Sequence, residues 1–286
     1  MARRKRDIYK EVTDRIISQL KEGTKPWVKS WATNGAAVPL RYNGQPYRGI
    51  NTMLLWMEGR ENPYWMSYKQ ASSIGGQVRG GERGTVVVFF KMLDKKEDDG
   101  KTTRIPLMRH YSVFNVEQID GLPEKFYPKP VERTPVERDV ASEAYIANTG
   151  AEIRHGGDRA FFSPSEDFIQ SPEADAFDSG EAYYATLLHE LGHWTGGADR
   201  LDRNLKTAHG TRDYAREELV AELYAAMISA KIGVSPHPRD DHADYLASWL
   251  EVLQEDDRAI FRASTAAQRA ADFTDSLQPT AKKKAA

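Results

Sequence analysis

The chain has 286 residues, 40% of them hydrophobic, which suits two packed domains of ordinary size. It contains no cysteine, so disulfides and thiolate metal sites are excluded, and any metal ion must be bound by histidines and carboxylates. Residues 1–130 hold 23 basic and 14 acidic side chains, whereas residues 131–286 hold 17 and 28, which indicates different partners for the two halves.

The front half is predicted to combine short helices with a long β-hairpin. Apolar residues recur every four residues from Ile8 to Leu20, which predicts an amphipathic helix. Short helices are expected around residues 53–56 and 67–76. The runs TVVVFFKML, from residue 85, and RIPLMRHYSVFNV, from residue 104, predict two strands paired as a hairpin.

A proline-rich segment at residues 122–138 has the composition of a linker. We therefore predict two domains, 1–130 and 131–286. In the second, short strands within 151–172 precede a helix that begins after Ser179, and further helices are expected near 213–230, 239–254 and 255–277. The predicted fold class is α+β, with an α+β front domain and a mostly helical back domain that has a small sheet.

The segment HELGH, residues 189–193, carries the strongest chemical signal. His189 and His193 are four residues apart on a helix and can present their rings to one cation, which is the spacing of zinc peptidases. Glu190 is the expected catalytic base, because it can take a proton from water whose pKa the metal has lowered. We expect Zn²⁺, with Mn²⁺ as another candidate.

A third protein ligand is expected from the helix that follows. Glu218 and Glu222 share one face of it, so one can bind the metal while the other hydrogen-bonds an imidazole. Glu218 is favoured as the ligand, with Glu222 in the supporting role or as the alternative ligand. Glu217 is expected to be solvated. His209 and Tyr214 are the nearest candidates for additional donors to a reacting group.

Residues 25–69 combine aromatic rings with cations, the composition of a single-stranded DNA surface. The rings give bases a stacking face and the cations offset phosphate charge, although Trp56 and some tyrosines are expected in the core. The predicted DNA-binding residues are Lys25, Trp27, Lys29, Trp31, Arg41, Tyr47, Arg48, Asn51 and Lys69.

Several motifs in order resemble the ArdC antirestriction family of conjugative plasmids: YRGINTMLLW, YKQASSIGGQVRGGERGTVVVFF, FSPSEDFIQSP, LLHELGHWTGGADRL and REELVAELYAAMI. The resemblance spans nearly the whole chain. It implies a front domain that binds single-stranded DNA, as at the start of TraC-type primases, and a zincin-like metallopeptidase domain behind it. It further implies protection of incoming plasmid DNA from restriction during conjugation, with a host restriction protein as the candidate target.

Two functional hypotheses follow. In the first, the metal site is a working peptidase; in the second, its role is structural or vestigial, and DNA occlusion alone protects. A nuclease is disfavoured, because many nucleases use two metals bound largely by carboxylates. No apolar run reaches the roughly 18 residues of a membrane span, so we expect a soluble cytoplasmic protein with no membrane partner.

Overall fold

The structure is a computed structural model that describes residues 7–27, 38–96, 102–128, 135–208, 210–234 and 242–279. The chain divides into two compact units, Val38–Lys129 and a second unit that joins Met1–Ala37 to Pro130–Ala286. No helix within the described ranges is both long and apolar enough to cross a membrane.

The front unit, Val38–Lys129, is α+β as predicted. Its helices are α2 (Ile50–Trp56) and α3 (Tyr68–Ser73). Its strands are β1 (Leu40–Arg41), β2 (Tyr64–Met66), β3 (Gln77–Val78), β4 (Thr85–Lys96), β5 (Thr102–Asn115) and β6 (Ile119–Asp120). One sheet has the order β1-β2-β5-β4, and β3 pairs with β6. The predicted hairpin is confirmed, because β4 and β5 pair in register from Thr85↔Val113 to Lys96↔Thr102.

The back unit begins with the amphipathic helix α1 (Ile8–Lys21). Its other helices are α4 (Pro135–Ala147), α5 (Gly180–Trp194), α6 (Arg212–Ile232), α7 (His242–Glu255) and α8 (Ala259–Ser276). Three short strands, β7 (Glu152–His155), β8 (Phe161–Ser163) and β9 (Phe168–Ser171), form a sheet of order β7-β9-β8. The prediction of a mostly helical domain with a small sheet is confirmed.

Helix α1, which lies in the predicted domain 1–130, packs in the back unit. The helix buries its apolar face within the back unit, where the Tyr9 ring meets Phe261 edge to face at 4.7 Å. The Thr13 hydroxyl also donates to the Asp257 carbonyl at 2.8 Å. An amphipathic pattern shows that a helix has a buried face but does not identify the core that covers it.

The structure describes two parts of the segment predicted as a linker, 122–138. Leu122 and Phe126 are buried in the front unit with Val116 and Ile119. Helix α4 begins at Pro135, where a proline fits the first helical turn. The prolines of this segment are therefore compatible with turns and a helix start as well as with a linker. Residues 129–134 lie outside the described ranges.

Candidate metal centre

Helix α5 carries the two histidines. It begins after Ser179, whose hydroxyl accepts a hydrogen bond from the Ala182 N–H at 3.1 Å, as the sequence predicted. His189 and His193 lie one turn apart, with ring centroids 4.8 Å from each other. Glu190 follows His189 on the same helix and is also buried. The HELGH segment thus presents its polar groups to the interior of the unit.

Helix α6 approaches α5 closely at Gly192. A Cβ atom at this position would lie 3.0 Å from Ala221 Cα and 3.0 Å from Tyr224 Cδ1. Both distances are shorter than an ordinary carbon contact of about 3.5–4.0 Å. The missing side chain therefore lets the two helices meet, and it brings Glu218, one turn before Ala221, toward the histidines.

Three side chains converge here with the geometry of a metal site. His189 Nε2 and His193 Nε2 are 3.1 Å apart. Glu218 Oε2 lies 3.3 Å from His189 Nε2, and Glu218 Oε1 lies 3.2 Å from His193 Nε2. Ligands bound tetrahedrally to zinc at about 2.0–2.1 Å are about 3.3 Å apart. This donor set fits one divalent cation, and it is the one such cluster within the described part of the chain.

The charges at this cluster support one another in the metal-free protein. Burial lowers the pKa of His193, but the carboxylates of Glu217 and Glu218 raise it to about 10. Burial raises the pKa of Glu218, whereas hydrogen bonds from His189 and His193 hold it well below its usual range. A proton therefore occupies the cluster at neutral pH, and metal binding must release it.

Glu217 supports His193, contrary to the prediction that it is solvated. It is buried, and its Oε1 atom lies 3.2 Å from His193 Nδ1. Arg203 donates to the same oxygen at 2.7 Å, to Thr195 Oγ1 at 2.9 Å and to the Gly192 carbonyl at 2.7 Å. The prediction was wrong because α6 packs against α5, α7 and α8 and therefore has more than one buried face.

Glu222, predicted either to support a ligand imidazole or to be the alternative ligand, lies beside His189. Its Oε2 atom lies 3.6 Å from His189 Nδ1, a buried atom that makes no hydrogen bond within the described residues. Its Oε1 atom accepts from Trp27 Nε1 at 3.2 Å and from Lys25 Nζ at 3.4 Å. Trp27 and Lys25 were predicted to bind DNA; in the structure Trp27 is 0% exposed, and both residues belong to the back unit.

The other predicted DNA-binding residues have mixed placements. Tyr47 is buried beside Leu55 and Trp65, so it is a core residue of the front unit. Asn51 donates to the Val88 carbonyl at 2.7 Å and accepts from the Val88 N–H at 2.8 Å, which caps the edge of β4. Both side chains therefore have structural roles, and their predicted contact with DNA stays a prediction.

The cations predicted to bind DNA are partly exposed. Arg48 and Lys69 lie on the surface, while Arg41 is half-buried over the Tyr47 ring at 5.3 Å. Lys29 and Trp31 lie outside the described residues, as does His209. Tyr214 lies in the first turn of α6.

The hairpin carries exposed aromatic rings that were not among the predicted DNA-binding residues. Phe89 and Tyr111 are 45% and 40% exposed, and their ring centroids are 5.9 Å apart. Arg109 is exposed and pairs directly with Phe89 across the two strands, so its side chain shares their face. Phe90, on the opposite face, is 49% exposed. The adjacent Phe89-Phe90 pair was a usable signal, because neighbouring strand residues point to opposite faces and only one can face a single core.

Two families match separate parts of the chain. Residues 6–114 match the N-terminal domain of anti-restriction factor ArdC, and residues 140–266 match a zincin-like metallopeptidase. A protein of Sinorhizobium fredii, "Uncharacterized protein y4eC", is 40% identical over 97% of this chain and 94% of its own length. Two Escherichia coli proteins named DNA primase TraC are 42% and 40% identical, but the chain spans only 27% and 20% of their lengths.

Two solved structures are similar over almost their whole length. The metal-free antirestriction ArdC protein from plasmid R388 has 41% identity and a TM-score of 0.82, covering 95% of this chain and 98% of that one. The Mn(II)-bound structure of the same protein gives a TM-score of 0.81 at 41% identity, covering 97% and 100% of the two chains.

Proposed function

Because the chain belongs to the ArdC family of antirestriction proteins, we propose that it protects plasmid DNA entering a bacterial cell by conjugation from restriction in the cytoplasm, using both of its units. The front unit binds single-stranded DNA, and the back unit is a metal-dependent peptidase whose candidate target is a host restriction protein. The observation that carries the peptidase part is the convergence of His189, His193 and Glu218 on one cation position.

Each residue of the centre has a defined task in this proposal. His189, His193 and Glu218 would hold Zn²⁺ or Mn²⁺, which supplies polarisation of a peptide carbonyl and a lowered pKa of water. Glu190, buried beside the ligands, takes the proton from water and passes it to the leaving amine. Glu217 keeps the proton on His193 Nδ1, so that Nε2 is free to bind the cation.

The hairpin supplies the surface for single-stranded DNA. Phe89 and Tyr111 present ring faces to bases, and Arg109 on the same face contacts phosphate. Val38–Lys129 carries 14 basic and 10 acidic residues, a net charge of +4 that favours a polyanion. Arg48 and Lys69, two cations predicted from the sequence to bind DNA, also lie on the surface of this unit.

The DNA surface is tested by replacing Phe89 and Tyr111 with alanine together. Stacking is worth about 1–3 kcal/mol per base, so we expect affinity for an oligothymidylate to fall at least about tenfold, measured by fluorescence anisotropy. Tyr127→Ala removes a ring of equal exposure, 46%, outside the hairpin and should leave affinity unchanged. Wild-type affinity in the double variant would refute this surface.

The catalytic proposal is tested by Glu190→Ala in a restriction-protection assay. We expect the variant to retain its metal and its DNA binding but to lose protection. Glu181→Ala, the same change in the first turn of α5, is the control and should protect normally. Full protection by Glu190→Ala would instead favour the view that DNA occlusion alone is responsible.

A further inference from the structure

One carboxylate joins the metal centre to the amino-terminal segment. Glu222 is buried, and its two oxygens face different partners. Oε2 faces His189 Nδ1 at 3.6 Å, whereas Oε1 accepts hydrogen bonds from Trp27 Nε1 and Lys25 Nζ at 3.2 and 3.4 Å. A buried carboxylate requires such partners, because its charge has left water.

The two donors are themselves held in place by an aromatic ring of α7. The Trp27 ring meets Trp249 nearly edge to face, with centroids 5.8 Å apart. Lys25 Nζ lies 5.7 Å from the centroid of the same Trp249 ring, and the Lys25 side chain is only 14% exposed. Both donors therefore have little freedom to follow Glu222 if its carboxylate rotates.

This arrangement fixes which oxygen Glu222 offers to His189. When His189 Nε2 binds a cation, the ring proton must reside on Nδ1, and a carboxylate acceptor there fixes both the tautomer and the orientation of the ring. Because Oε1 is held by the donors, Oε2 remains directed at Nδ1. Loss of the donors would remove two of the partners that hold the carboxylate in this orientation and stabilise its charge.

We propose that Trp27 and Lys25 are positioning residues of the metal centre and act on it through Glu222. This inference rests on the metal binding proposed for His189, His193 and Glu218. Both residues lie within 6–114, which matches the ArdC N-terminal domain, and outside 140–266, which matches the metallopeptidase. The metal centre is thus completed by a segment that sequence comparison assigns to the other domain.

The test measures Zn²⁺ affinity of the full-length chain by competition with a chromophoric chelator. Trp27→Phe keeps an aromatic ring but loses the N–H donor, and we expect affinity to fall about tenfold, as for other groups that support metal ligands. Lys25→Met should also weaken binding. Trp65→Phe, the same substitution of a buried tryptophan in the core of the front unit, is the matched control and should stay within about twofold of wild type.

A double-mutant cycle separates positioning from packing. If Trp27 acts through Glu222, then Trp27→Phe should have no further effect on Zn²⁺ affinity in a Glu222→Ala background. An equal loss in both backgrounds, or wild-type affinity in Trp27→Phe, would overturn the inference while leaving the metal centre intact. Failure of the wild-type chain to bind Zn²⁺ or Mn²⁺ would instead overturn the proposed function on which the inference rests.

Discussion

The contact between α5 and α6 makes Gly192→Ala an informative substitution. The new methyl group would lie 3.0 Å from Ala221 Cα and 3.2 Å from Ala221 Cβ. Reaching an ordinary separation of about 3.5–4.0 Å requires α6 to move by about 0.5–1 Å. Glu218 and Glu222 flank Ala221 on that helix and would move with it. Metal sites hold their ligand distances to about 0.2 Å, so this displacement is large for the centre.

The energetic expectation for Gly192→Ala separates stability from metal binding. Overpacking costs about 1–3 kcal/mol, while replacing a helical glycine with alanine returns about 1 kcal/mol. Urea unfolding of the metal-free variant should therefore show a loss of about 2 kcal/mol or less. Zn²⁺ affinity should fall by about ten- to a hundredfold. Gly80→Ala, where the added methyl meets no atom within 4 Å, is the control. Unchanged Zn²⁺ affinity in Gly192→Ala would refute the role given to this close approach.

Three other outcomes are expected. Arg203→Met removes the cation from buried Glu217 and should destabilise the protein by about 3 kcal/mol in urea unfolding; a loss below 1 kcal/mol would contradict this. The pKa of His193 is raised from 6.5 to about 10, so its protonation stabilises the metal-free fold fully below pH 6.5, and this contribution should disappear as the pH rises through 10. Zn²⁺ affinity should increase over the same range, because the metal displaces this proton; an affinity that does not change with pH would contradict the assignment. Asn51→Ala should lower the free energy of unfolding by about 1–3 kcal/mol, because its hydrogen bonds to Val88 are lost, without weakening DNA binding. Weaker DNA binding at unchanged stability would show instead that Asn51 contacts DNA.

Local periodicity predicted the parts of this molecule that depend on neighbouring residues. The i, i+4 spacing placed His189 and His193 on one face, and the same spacing on the next helix nominated Glu218 and Glu222 together. Alternating and β-branched residues predicted the β4–β5 hairpin. In each case the geometry follows from a regular element, which a sequence specifies directly.

Contacts between segments far apart in the sequence could not be predicted from such patterns. Composition does not distinguish a ring that stacks on bases from one that fills a core, so Trp27 was predicted to bind DNA although its partner, Glu222, is 195 residues away. Glu217 was misplaced because a helix surrounded by others buries more than one face. The sequence did not show that α1 packs in the back unit for a similar reason: the apolar face of a helix fits any complementary core.

Anomalous diffraction at the zinc edge, from crystals of the Zn²⁺-loaded chain, tests directly whether His189, His193 and Glu218 bind one metal ion. We expect one peak about 2 Å from His189 Nε2, His193 Nε2 and a Glu218 carboxylate oxygen, with Glu217 and Glu222 on the far sides of the two imidazoles. A peak coordinated by Glu217 or Glu222 in place of Glu218, or the absence of any peak between the two histidines, would contradict it.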